Sequence, residues 1–449
     1  MTGRLRPSPR SPWGALSALL TVLGSVGHAA ADERDIHLLE TPVTFTDVAD
    51  AADGDDRFDL NVRVLFRRLQ ESANVNRERP TSTGRSETEH VGDYRLVRHE
   101  LLLGLDIGLF RDLELSVDLP LVLSDDRRLN PVDGELLDDQ PSGDGLARTI
   151  PLVSPTRSGL DVLILGIGWA PLNQYRHAHS PTWVFRLTSR IAVGDVRTPC
   201  IDGQSDCGVS DGTHALSLET RMSHRFRYAE PYGGAGFTAQ FRGRAASAFA
   251  PGGDLPGYRH VNPPLIAEFT AGLAVIPWEH RGKAQRLSVD MRLHAQWVAA
   301  GRNYSPLFDA LGASSEPTLA TPSCEGVPTN AVDCTGDPGG LRLVPFTGLT
   351  DIQGHGRIGG RVAVELQAAR FVRFGFGGSL QYTTPHQITG TGRCNPDASP
   401  RDASDPRIAG CPEGIVDPHY RVILDTPGQR FSLDGQLRVD LFATMRAQF

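Results

Sequence analysis

Residues 101–123 read LLLGLDIGLFRDLELSVDLPLVL. On the first arm Leu101, Leu103, Leu105, Ile107 and Leu109 share one parity. The second arm repeats the pattern with Leu113, Leu115, Val117, Leu119, Leu121 and Leu123. Glu100, Asp106, Glu114, Ser116 and Asp118 fall on the other parity. Successive residues of a β-strand leave opposite faces. Each arm therefore has one continuous apolar face and one face with carboxylates, and only Phe110, Arg111 and Asp112 join them.

The same alternation recurs along the chain. In residues 57–67, Phe58, Leu60, Val62, Val64 and Phe66 oppose Arg57, Asp59, Asn61, Arg63 and Arg67. In residues 286–297, Leu287, Val289, Met291, Leu293, Ala295 and Trp297 oppose a wholly polar set. Twelve such segments are predicted as strands, near 57–67, 94–109, 113–124, 159–170, 182–195, 213–228, 232–244, 264–276, 285–298, 356–368, 371–383 and 431–449. Most exceed the roughly 5–6 residues of a soluble strand and match the roughly 9–11 that a tilted strand needs to cross a bilayer. Links of alternating length separate them. The short ones are 110–112, 171–181, 229–231, 277–284 and 369–370; the long ones are 68–93, 125–158, 196–212, 245–263, 299–355 and 384–430. Short turns on one side and long loops on the other mark outer-membrane barrels. A secreted β-sandwich explains the alternation but neither the strand lengths nor the loop parity. The predicted fold is an all-β, antiparallel, up-and-down transmembrane barrel of about 12 strands over 57–449, with both chain ends on the periplasmic side.

Bulk composition agrees. The chain has 449 residues, a formal charge of −8, 39% hydrophobic and 22% charged residues, an ordinary balance. Arg and acid are interspersed rather than clustered, so no nucleic-acid partner is expected. Residues 1–31 read as a cleaved signal peptide: Arg4, Arg6 and Arg10, then GALSALLTVLGSVG, then small residues ending at Ala31. Export fits six cysteines that fall in three close pairs, all in long loops: Cys200 with Cys207, Cys324 with Cys334, and Cys394 with Cys411. Local disulfides are expected; zinc ligation is the competing reading, without CxxC spacing to support it. The final segment, LRVDLFATMRAQF, alternates to a terminal Phe449, a pattern similar to the strand that barrel-assembly machinery recognises.

With apolar faces toward lipid, the polar faces line a lumen. Its candidates are Arg57, Arg63, Glu114, Asp118, Arg186, Arg190, Glu219, Arg221, Arg225, Glu268, Asp290, Arg292, Arg361, Glu365, Arg373, Asp434, Arg438 and Asp440. Such groups need water or ion pairs. They make either a water-filled, mildly anion-favouring conduit or a salt-bridged filling, and the sequence leaves both open. Phe58, Phe66, Trp183, Phe185, Phe226, Tyr228, Phe241, Trp297, Tyr382 and Phe431 are expected on the lipid face as an aromatic girdle. No enzyme, cofactor or metal is expected. Ser223 and His224 adjoin, but adjacent strand residues face opposite ways. The acid-rich stretches DAADGDDRFD and DGELLDDQPSGDG lack calcium-loop spacing. Residues 32–56 lack clean alternation. They are expected to plug or lap the periplasmic mouth, or to hang free; Ile36, Leu38, Leu39, Val43 and Phe45 favour docking.

The phrases LFRDLELSVDLPLVL, GLDVLILGIGWAPL and PTWVFRLTSRIAVGD, within residues 94–195, resemble Gram-negative outer-membrane proteins of the phenol meta-degradation transporter type. Gly159-Leu160-Asp161 shortens the second element of that pattern, and Ala192-Val193-Gly194-Asp195 departs from its third. The resemblance implies an outer-membrane barrel that passes small molecules; it assigns no substrate and carries over no binding residue. The expected surroundings are outer-membrane lipid, lipopolysaccharide and the assembly machinery. The expected role is a channel for small solutes, with a closed structural or surface-recognition barrel as the alternative and an outer-membrane enzyme a distant third.

Overall fold

The computed structural model describes residues 43–49, 59–81, 85–132, 152–200, 204, 207–251, 257–314, 319, 321–323, 342–344, 346–398, 411 and 414–449. Twelve long strands form the wall: β1 (Leu60–Pro80), β2 (Ser86–Phe110), β3 (Leu113–Pro131), β4 (Val162–Leu172), β5 (Thr182–Ala192), β6 (His214–Ser223), β7 (Ala229–Phe241), β8 (Ile266–His280), β9 (Gln285–Val298), β10 (His355–Ala369), β11 (Val372–Thr383) and β12 (Phe431–Gln448). Each pairs antiparallel with its sequence neighbour, and β12 pairs with β1. Closure leaves no unpaired wall edge, as a hydrocarbon surround requires. At the seam Leu60 and Phe449 exchange backbone hydrogen bonds of 3.0 and 2.9 Å.

The five links on one end, the turn side, are short. Two are of two residues, Arg370-Phe371 and Arg111-Asp112; in the latter Asp112 adopts φ 52° and its carboxylate accepts from Arg176 Nε at 2.6 Å. Outside the wall, Val64, Phe66, Leu103, Leu218, Phe269, Leu293, Val362, Phe376 and Leu441 are all exposed, each close to or above 40%. An unbroken apolar surface of that kind around a closed barrel is a lipid-facing belt. Trp169 and Phe226 stand near its turn-side rim, Trp297 and Phe241 near the other.

The first hairpin is longer than its sequence reading. β1 and β2 run 21 and 25 residues and pair to Pro80 and Ser86, so most of the expected loop 68–93 is strand. The physical reason is an inversion of polarity. Up to Phe66 the apolar residues Val62, Val64 and Phe66 of β1 face out. Beyond it Leu69, Ala73 and Val75 face in and are buried, while Arg68, Ser72 and Asn74 face out. The projecting wall meets water outside and an apolar core inside, so alternation persists with its phase reversed. β2 does the same, with Leu96, Tyr94 and Val91 buried beneath exposed Arg95 and Asp93.

That core is the largest apolar cluster. It joins Leu69, Val75, Tyr94, Leu129, Phe431 and Leu433 of the wall to Leu307, Leu311, Leu319, Phe346, Ile388 and Leu424 of the loops. Phe431 is thus corrected from the lipid girdle to this cap, 1% exposed, with Arg77 stacked 5.0 Å over its ring. Two disulfides are formed in the loops, Cys200–Cys207 and Cys394–Cys411. Cys324, Cys334, Phe58 and both acid-rich stretches lie wholly or mostly outside the described residues.

Candidate functional site

The lumen has three storeys. Toward the turn side, residues 43–49 cross it as an irregular segment. Val43 N donates to Glu230 at 3.2 Å, Thr44 Oγ1 to Glu365 at 2.6 Å, and Ala49 N to Glu114 at 2.9 Å. Thr46 Oγ1 lies 2.7 Å from Ser223 Oγ. The Asp47 carboxylate is bound by Arg446 and by Arg373, the latter at 3.5 Å. Phe45 packs 4.6 Å from the Tyr232 ring and between the guanidinium groups of Arg221 and Arg292, at 5.0 and 4.8 Å. With backbone donors at both ends, its carboxylate and its aromatic ring matched by the wall, the segment is held in one position rather than merely trapped.

Above Phe45 lies a cavity of about 570 Å³. Seven arginines line it (Arg67, Arg190, Arg221, Arg292, Arg357, Arg361 and Arg438) against three carboxylates (Glu219, Glu268 and Asp440). Several arginines are matched: Arg67 with Glu100 at 3.1 Å, Arg221 with Glu219, and Arg438 with Asp440 at 3.5 Å. Arg190, Arg357 and Arg361 have no carboxylate partner among the described residues. Arg361 instead stacks 4.1 Å over the Phe442 ring. Glycines at Gly234 and Gly236 keep the β7 wall low here; a Cβ on Gly234 would fall 3.1 Å from the Phe45 ring. The excess positive charge, set in a confined polar space, is an electrostatic well for anions.

On the loop side the apolar cap adjoins this chamber. Along β1, Arg67 lines the chamber and Leu69, the next inward residue, belongs to the cap cluster; along β12, Arg438 and Leu433 play the same parts. His355 and His386 stack at 4.0 Å at this level.

The predicted lumen residues divide accordingly. Arg190, Glu219, Arg221, Glu268, Arg292, Arg361, Arg438 and Asp440 line the chamber. Arg63, Glu114, Asp118, Arg186, Asp290, Glu365 and Arg373 lie around the lower segment, with Arg63 2.6 Å from Asp118 and Arg186 paired to Glu114. Arg225 sits in the turn 224–228, bound to Glu279 at 2.9 Å. Arg57 is outside the described residues. Asp434 is the correction: Gly435 at φ 60° and a register shift in the β1–β12 ladder turn it outward, exposed opposite Asn74. A bulge reverses the parity on which its placement rested. Arg67, on the polar face of 57–67 but outside the candidate set, and Arg357 also line the chamber, and each continues the inward parity of Arg63 and Arg361. Ser223 and His224 do not meet: Ser223 Oγ donates to Glu230 at 2.8 Å, and His224 Nε2 lies 3.5 Å from Gln174.

Among solved structures the chain is similar to an outer membrane channel from Pseudomonas putida F1, at 9% identity over 91% of this chain and 99% of that one, with a TM-score of 0.38. It is similar to the outer membrane protease OmpT from Escherichia coli at 7% identity, 87% and 97% coverage and a TM-score of 0.28. A Pseudomonas aeruginosa FadL homologue matches at 8% identity, 87% and 90% coverage and a TM-score of 0.28. No family model and no curated protein matches the sequence.

Proposed function

We propose that the chain is a channel of a bacterial outer membrane that admits small anionic solutes, with the turn side periplasmic. The observation that carries this reading is the chamber of about 570 Å³ inside a closed barrel, in which seven arginines face three carboxylates. A salt-bridged filling would match its charges one for one and leave no such space. Arg190, Arg357 and Arg361, without carboxylate partners among the described residues, supply planar donors suited to carboxylate or phosphate groups. Residues 43–49 act as a periplasmic gate and the apolar cap as an external one, so passage requires each to yield in turn. Planar-bilayer recording in a potassium chloride gradient tests this. Currents should be small and intermittent, with a reversal potential on the anion-selective side. Absence of current from the wild type and from a variant lacking residues 43–49 would overturn it.

A further inference from the structure

We propose that Asp351, Asp417 and His419 form a binding site for a divalent transition-metal ion of the zinc class, which clips the outer loops together. One ligand atom from each lies within 4.8 Å of the others. The site is interior: Asp351, Asp417 and His419 are 7%, 1% and 2% exposed. Neither ring nitrogen of His419 meets the geometry of a good hydrogen bond, and the backbone of Phe249 is its nearest acceptor. A buried imidazole so poorly satisfied is costly in a folded protein. Its Nδ1 is 3.8 Å from Asp417 Oδ1, and the Tyr258 ring, 4.3 Å away, fixes its orientation.

The carboxylates are presented rather than consumed. Asp417 accepts from the backbone amides of His419 at 2.9 Å and Arg259 at 3.3 Å. Asp351 accepts from Arg302 at 3.3 Å and contacts His260 Nδ1 at 3.1 Å. Each carboxylate oxygen keeps a second lone pair, and such outer contacts orient metal-ligating carboxylates in known sites. One imidazole and two carboxylates suit zinc with a water as the fourth ligand. Ligands about 2.0–2.2 Å from zinc stand roughly 3.5 Å apart in a tetrahedron, so the atoms need close by about 1 Å. Arg302 competes for Asp351, which favours an ion of high affinity over calcium or magnesium.

The site would join segments with no covalent link. Asp351 lies in the β9–β10 loop, in a short strand Thr350–Ile352 paired with Gly301–Asn303. Asp417 and His419 lie in the β11–β12 loop, and Tyr258 and His260 of the β7–β8 loop touch both. The bound ion would stiffen the cap, whether or not solutes pass beneath it.

The test uses the full chain folded in detergent, stripped with EDTA and titrated with Co²⁺. One equivalent should bind with visible d–d absorption, Zn²⁺ should displace it, and Zn²⁺ should slow proteolysis of the loops. His419→Ala and Asp417→Asn should each weaken binding at least tenfold, while His90→Ala, at an exposed histidine, should not. Heat-modifiable gel mobility reports that each barrel is intact. No absorption from folded wild type, or a spectrum that survives both variants, overturns the site.

Discussion

The carboxylate of Asp47 meets the guanidinium of Arg446 inside the barrel, 399 residues apart along the chain. Asp47, Arg373 and Arg446 are all buried, and Arg373 reaches the same carboxylate oxygen. Removing one partner of such a group costs about 3–5 kcal/mol, because charges are left in the interior without compensation. Asp47→Ala should therefore loosen residues 43–49 without unfolding the wall. Single-channel conductance is expected to rise several-fold; a distribution identical to wild type would count against the gate.

Selectivity should rest on the unmatched arginines. Arg357 and Arg361 face the chamber without carboxylate partners among the described residues. The double substitution Arg357→Gln, Arg361→Gln removes two of the seven positive charges. The reversal potential in a tenfold potassium chloride gradient should move toward zero. If it does not move, the chamber is not the selectivity filter.

The inversion of polarity along β1 and β2 locates the edge of the bilayer. Leu103 lies within the apolar belt and Ser72 beyond it, both facing outward. Leu103→Arg should destabilise folding into lipid vesicles by about 2–4 kcal/mol. Ser72→Arg should cost within about 0.5 kcal/mol, as at an ordinary surface. Denaturant titration in vesicles measures both, and equal costs would misplace the belt.

The Cys394–Cys411 bridge closes a loop of sequence separation 17 against the cap. On the chain-entropy model such a closure is worth about 3 kcal/mol. Replacing both cysteines with serine should raise the rate of proteolysis between β11 and β12 by an order of magnitude or more while leaving heat-modifiable mobility intact. Equal rates would show that the cap holds this loop without the bridge.

Asp425, 8% exposed, ends the short helix Val422–Asp425 and accepts from the amides of Arg421, Gly390 and Thr391 at 2.7, 2.8 and 3.0 Å. Burial pushes its carboxyl up to about 6, against an ordinary 3.8. Between those values the folded state holds more protons than the unfolded one, so stability falls as pH rises through that window and is flat above it. The full span is up to roughly 3 kcal/mol. Hydrogen exchange at Gly390 and Thr391, corrected for intrinsic rate, should show protection decreasing from pH 4 to 6. Protection that rises over that range would reverse the sign and reject the assignment.

Period two and loop parity were enough to read twelve strands, their lipid faces and the pairing of Cys200 with Cys207 and Cys394 with Cys411, because strand alternation and short loop closure are local properties. The same local rule located most inward charges, Arg190, Arg361 and Asp440 among them. It failed at Asp434 and Phe431, because one glycine in the left-handed region, Gly435, flips the parity of every residue before it on β12 and sends Phe431 into the cap. It could not place residues 43–49, since nothing in TFTDV names the partners that hold it.

The sequence by itself determined that this chain closes a greasy belt around a charged interior. Only the tertiary structure decided which charges meet. Asp47 finds Arg446, Arg361 meets the Phe442 ring at the chamber wall, and Asp351 comes close to Asp417 and His419 across separate loops. Those meetings depend on barrel register and on how loops fold over the mouth, which couple residues far apart in the chain and leave no periodic trace in it.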